Sequence, residues 1–113
     1  LVVHVGGPVS RLLPLLAAAG VDGVEGVSGP PQGDATLAAA RALAGPQITL
    51  WGGIPQDFLL ATRSQAEFEE ACASALAQAT GDPRAILGVA DRVPVEADQA
   101  RLRYLAEIAR REL

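Results

Sequence analysis

Lysine and methionine are both absent from this chain of 113 residues. All nine basic side chains are arginine, so a Schiff-base lysine and a P-loop lysine are excluded. One cysteine, Cys72, excludes an intramolecular disulfide and any multi-cysteine zinc knuckle. Basic charge is scarce overall: nine basic against thirteen acidic side chains leave a net charge of -4. That balance argues against nucleic acid as the main partner, because phosphate binding needs a basic face. No apolar run approaches the ~20 residues of a membrane span. Leu1 to Val5 has neither the basic n-region nor the long apolar core of a signal peptide, and a cytoplasmic location is expected. The chain opens without Met, inside a strand-like run, which suggests a piece of something longer. What the chain does have is apolar material. Half of its residues are hydrophobic (50%), enough for one folded domain over residues 1–113.

Four short apolar runs read as strands: Leu1 to Val5, Val21 to Val27, Gln47 to Trp51 and Ala85 to Val89. Each leads through a Gly or Pro turn into a helical pattern, and such alternation implies βα units with a parallel sheet. The first helix is expected over Ser10 to Ala19, with Pro14 near its first turn and Gly20 as its stop. Asp34 is the expected cap of the second, which ends at Gly45-Pro46. Ser64-Gln65-Ala66-Glu67 reads as a capping box. Phe68, Ala71, Cys72, Ala75, Leu76 and Ala79 then recur at helical spacing, as on a helix lying against a sheet. A short extra helix over Gln56 to Ala61 is expected before it. The last helix starts near Asp98 and buries Leu102, Leu105 and Ile108 or Ala109.

Two architectures use four βα units: a small doubly wound sheet and half of an eight-stranded barrel. A doubly wound nucleotide binder should carry a glycine fingerprint after its first strand. The first turn here is Gly6-Gly7-Pro8-Val9-Ser10, which is not G-x-G-x-x-G, and Pro8 lacks a backbone donor that a pyrophosphate would use. Half a barrel cannot close on four strands. It would leave two raw edges and a bare inner face, to be covered by a second half or a second copy of the chain.

Several segments resemble the uroporphyrinogen decarboxylase superfamily. His4-Val5-Gly6-Gly7 is similar to its His-x-Cys-Gly strand end. Leu12 to Gly23 looks like its helix and the following "aGvDg" strand entry. Leu50-Trp51-Gly52-Gly53-Ile54-Pro55 is similar to its Gly-Asn-Ile-Asp-Pro turn, and Ile86 to Pro94 looks like its last barrel strand and loop. The resemblance runs over essentially all 113 residues, in order. It implies the C-terminal half of a TIM (β/α)8 barrel, four consecutive βα units with parallel strands. Members are decarboxylases of a tetrapyrrole in porphyrin biosynthesis, and corrinoid- or thiol-directed methyltransferases. The expected function of a completed barrel is decarboxylation, with cobalamin-dependent methyl transfer or a non-catalytic self-associating half-barrel as alternatives. The isolated chain is expected to be inactive. The implied partners are a tetrapyrrole or corrinoid-linked small molecule and the missing N-terminal half.

His4, the only histidine, falls at the C-terminal end of a strand, where barrel active sites sit. It reads as an acid/base or a metal ligand, or as a rim histidine held by hydrogen bonds. By the resemblance, Gly6 and Asp91 stand where methyltransferases carry zinc-binding cysteines. No thiolate site is therefore available, and His4 with Asp91 offers two ligands. No cofactor is expected for a decarboxylase, and zinc is the alternative. Asp91 could equally pair with Arg92, itself a candidate substrate contact. Glu25 could point into the mouth or face solvent. Trp51 could stack on a macrocycle or pack against a helix. Gly52 and Gly53 would let substrate approach the backbone, or form only a tight turn. Cys72 reads as a small core hydrophobe, and Arg101, Arg103, Arg110 and Arg111 as a solvated face.

Overall fold

Apolar alternation and Gly or Pro punctuation produce four strands and four helices in the computed structural model, which describes residues 1–113. The order is β1 (Val2–His4), α1 (Leu13–Ala18), β2 (Gly23–Val27), α2 (Leu37–Ala44), β3 (Thr49–Ile54), a 3-10 turn (Gln56–Leu59), α3 (Gln65–Thr80), β4 (Ala85–Val89) and α4 (Gln99–Glu112). All strand pairs are parallel and the sheet runs β1-β2-β3-β4. Strictly sequential order excludes the doubly wound alternative, in which the order reverses at a switch point. Successive helices pack on one another, α1 on α2, α2 on α3 and α3 on α4, as expected on one face when right-handed crossovers join neighbouring parallel strands. This is the arrangement of consecutive strands in a (β/α) barrel, left open because four strands do not close.

The cross-strand register sorts residues into rows. Val3, Val24, Leu50 and Ala85 form one row and turn toward the helices. His4, Glu25, Trp51 and Ile86 form the next and turn the other way, since side chains alternate across a strand. The helix side carries the core. Val9, Leu13, Val24, Leu37, Ile48 and Leu50 pack under α1 and α2, and Ile54, Leu59, Phe68, Cys72 and Ile108 under α3 and α4. The opposite face is bare, with Val2 58%, Trp51 42% and Ile86 46% exposed.

Four local expectations are corrected. Helix α1 is shorter than Ser10–Ala19, because Ser10 to Leu12 form turns before it. Thr36, not Asp34, caps α2, accepting from the Ala39 amide at 3.2 Å. Asp34 lies two residues further out and accepts from the Val9 and Ser10 amides at 2.8 and 3.0 Å, tying the first two loops together. Strand β3 runs on through Gly52 and Gly53 instead of turning there. Arg101 is not solvated: it is 6% exposed, with its guanidinium donating to the carbonyls of Phe58, Leu60 and Arg63 at 2.7–2.8 Å. The α3 capping box forms as read, with Ser64 and Glu67 each bonding the other's backbone.

Candidate active site

His4 ends β1 and faces the bare side of the sheet, next in register to Glu25. Its Nδ1 lies 2.5 Å from Glu25 Oε1, and its Nε2 lies 3.0 Å from Asp91 Oδ1. One imidazole is thus held between two carboxylates supplied by the ends of β2 and β4. The Glu25 hydrogen bond is the largest influence and raises the His4 pKa above 6.5; desolvation opposes it next, and the charges of Glu25 and Asp91 add smaller upward effects. With a carboxylate on each nitrogen, both N–H groups of the protonated ring have an acceptor, which favours the imidazolium more than in a free histidine.

The backbone explains how this cluster is aimed. Residues Glu25 to Val27 carry a register irregularity in β2, and Gly26 sits there at φ 105. A β-carbon at Gly26 would overlap the Val5 carbonyl oxygen, so the close approach of β1 and β2 beneath His4 requires glycine. Asp91 is the one non-glycine residue with positive φ, at 71°. Its amide donates to Glu25 Oε2 at 3.1 Å, so Glu25 bridges His4 and the loop after β4. Such conformations are sparsely populated and concentrate at functional sites.

Other expected site residues fall in different places. Gly6 adjoins the cluster: a β-carbon there would stand 4.0 Å from both Asp91 carboxylate oxygens. The three positions equated above with a zinc-thiolate site therefore do converge. The donor set does not fit such a site, because it contains no sulfur and both His4 nitrogens already face carboxylates. No group of three or more His, Cys, Asp or Glu side chains is arranged to hold a metal ion. Trp51 is not packed against a helix. It lies on the bare face beside Glu25, with its indole over Gly88, where an added β-carbon would meet Nε1 at 2.9 Å. Gly52 and Gly53 serve internal packing: β-carbons there would overlap the Val27 carbonyl oxygen and crowd Leu37 at 2.9 Å. Arg92 is exposed and has no carboxylate within ion-pair distance, since Asp91 pairs with His4.

Sequence reading passed over Gln32, in the loop after β2. Its carboxamide donates to the Ala90 carbonyl at 3.1 Å and accepts from the Gln56 amide at 2.7 Å. One side chain so laces together the loops that follow β2, β3 and β4. Its only sequence signal was its place in a Gly/Pro-rich loop at a strand's C-terminal end. At the other end of the sheet, Arg41 binds Asp82 at 2.8 Å and the carbonyls of Gly45 and Ile48. The adjoining open groove, of about 430 Å³, is lined by these already satisfied groups, as expected of the stabilising face of a βα-unit array.

The class is thus a sequentially wound parallel α/β sheet with a polar cluster at the strands' C-terminal ends. No protein-family model matches the chain and no curated protein matches it. Among solved structures it is similar to a methyltransferase from Methanosarcina mazei, with 21% identity and a TM-score of 0.62. That alignment covers 95% of this chain and 31% of the other, so the chain spans about a third of that protein. At this identity the likeness speaks for the fold.

Proposed function

We infer that this chain is the C-terminal half of a (β/α)8 barrel of the uroporphyrinogen decarboxylase superfamily, and that the completed barrel is a methyltransferase working between a corrinoid-type carrier and a small methylated compound. The observation that carries the reading is the meeting of His4, Gly6 and Asp91, far apart in sequence, at the catalytic end of a sheet whose fold is shared with a methyltransferase. Because the donor set does not suit zinc-thiolate activation, no step is routed through a metal. His4 acts as an acid instead. Glu25 holds Nδ1–H and fixes the ring, as carboxylates orient catalytic imidazoles. Asp91 keeps a proton on Nε2 until substrate enters. As a nucleophile takes the methyl group, the bond from methyl to its heteroatom breaks and the pair stays on that atom. The proton from Nε2 neutralises it.

A second reading, decarboxylation of a tetrapyrrole acetate group, is favoured by the same imidazolium, since pyrrole protonation must precede loss of carbon dioxide. The two separate in one assay set. The protein carrying this chain should methylate cob(I)alamin from a small compound carrying its methyl group on a heteroatom, and His4→Gln should slow turnover on the order of 100-fold. Carbon dioxide release from uroporphyrinogen with no methyl transfer would move the assignment to the second reading. Full activity in His4→Gln would remove the cluster from the chemistry.

A further inference from the structure

We propose that Gln32 is a positioning residue that holds Asp91 in a strained turn and thereby aims its carboxylate at His4. The inference rests on the reading of His4, Glu25 and Asp91 as the reactive cluster, and does not depend on which reaction the cluster serves. The Arg92 amide donates to the Ala90 carbonyl at 2.9 Å across Asp91. An i to i+2 bond closed over a residue at φ 71 is a γ-turn of the strained hand. Left to itself, an L-residue would leave this conformation. Three contacts oppose that relaxation. The Ala90 carbonyl also accepts from Gln32 Nε2 at 3.1 Å. The Ala90 amide donates to the Ile54 carbonyl at 2.8 Å. The Asp91 amide donates to Glu25 Oε2 at 3.1 Å.

Gln32 is the adjustable member of the three. The Ile54 contact is backbone, and Glu25 is committed to His4 itself. Gln32 is in turn fixed from its other end, where Oε1 accepts from the Gln56 amide at 2.7 Å. Its carboxamide is therefore oriented, with the acceptor toward Gln56 and the donor toward Ala90. Glutamate at this position would keep the acceptor and lose the donor. The charged groups facing His4 are Glu25 from β2 and Asp91 from the loop after β4, so any change in Asp91's aim reads out directly at the His4 ring.

The test follows the His4 ring and the Asp91 amide by NMR across pH. Gln32→Ala and Gln32→Leu, neither of which adds a charge, should both shift the His4 midpoint downward and speed exchange of the Asp91 amide. Gln32→Ala added to Asp91→Asn should shift the midpoint no further, because the glutamine acts through the aspartate. Asp91→Gly should lower the midpoint yet raise the melting temperature, since glycine accepts this φ without strain. An unchanged His4 midpoint in both Gln32 variants, checked as folded by circular dichroism, overturns the proposal. A further downward shift in the double variant also overturns it. These readouts need no turnover, so failure to find methyl transfer would leave them standing.

Discussion

A histidine carrying a carboxylate on each nitrogen is a residue with a defined titration. The hydrogen bond that its Nδ1–H donates to Glu25 raises its folded pKa above 6.5, so the stabilisation it gives is complete below the unfolded value and disappears as pH climbs through the raised folded one. His4 is the sole histidine, so its ring signal is unambiguous. We expect a midpoint above 6.5, moved down by Glu25→Gln; a midpoint at or below 6.5 in the native protein would refute the pairing. Cys72 is the opposite case. Burial pushes its thiol up to about 12, and it is expected to resist thiol reagents at neutral pH until the protein unfolds. The sequence showed that His4 ends a strand and that Cys72 lies on an apolar helix face. It set Asp91 beside His4 only through the family resemblance, and left Glu25 open between the mouth and solvent, because strand register, not local sequence, turns Glu25 onto the histidine.

At the scale of elements, helices were legible where their signals are local. The Ser64–Glu67 box and the apolar spacing of α3 are contained within a few residues of each other, and both form. Ser64→Ala is expected to cost about 1 kcal/mol in chemical denaturation. Elements failed to read correctly where a partner overrides local preference. Gly52 and Gly53 look like a turn, yet they extend β3 by pairing with Leu87 and Gly88 of β4, at positions where neighbouring atoms leave no room for a β-carbon. Arg101 looks like part of a charged face, yet three backbone carbonyls clustered in and after the 3-10 turn accept from it and draw it inward against the Phe68 ring, 5.2 Å away. Arg101→Met keeps the stem but removes the donors to those carbonyls, and should cost about 3 kcal/mol. Arg110→Met, on the exposed end of the same helix, should change little.

At the scale of the molecule, the governing fact is a sheet face that leaves Val2, Trp51 and Ile86 exposed beside the His4 cluster. Parallel sheets are normally covered on both faces, and both edges here are also free. Expressed alone, the chain is expected to associate, giving a mass by light scattering above its 11.6 kDa. Ile86→Lys, on the bare face of the edge strand β4, should reduce that association without lowering helicity. A monodisperse monomer of the unaltered chain would show that the face tolerates water.

The sequence by itself determined the βα alternation, the parallel sheet, the α3 cap and the place of His4 at a strand end, because each is set by neighbours along the chain. Only the tertiary structure decided the sequential strand order, the inward turn of Arg101, the grip of Gln32 on the Asp91 turn, and the closure of Glu25 and Asp91 around one imidazole. Those depend on register and loop packing between distant segments, which local propensity does not encode.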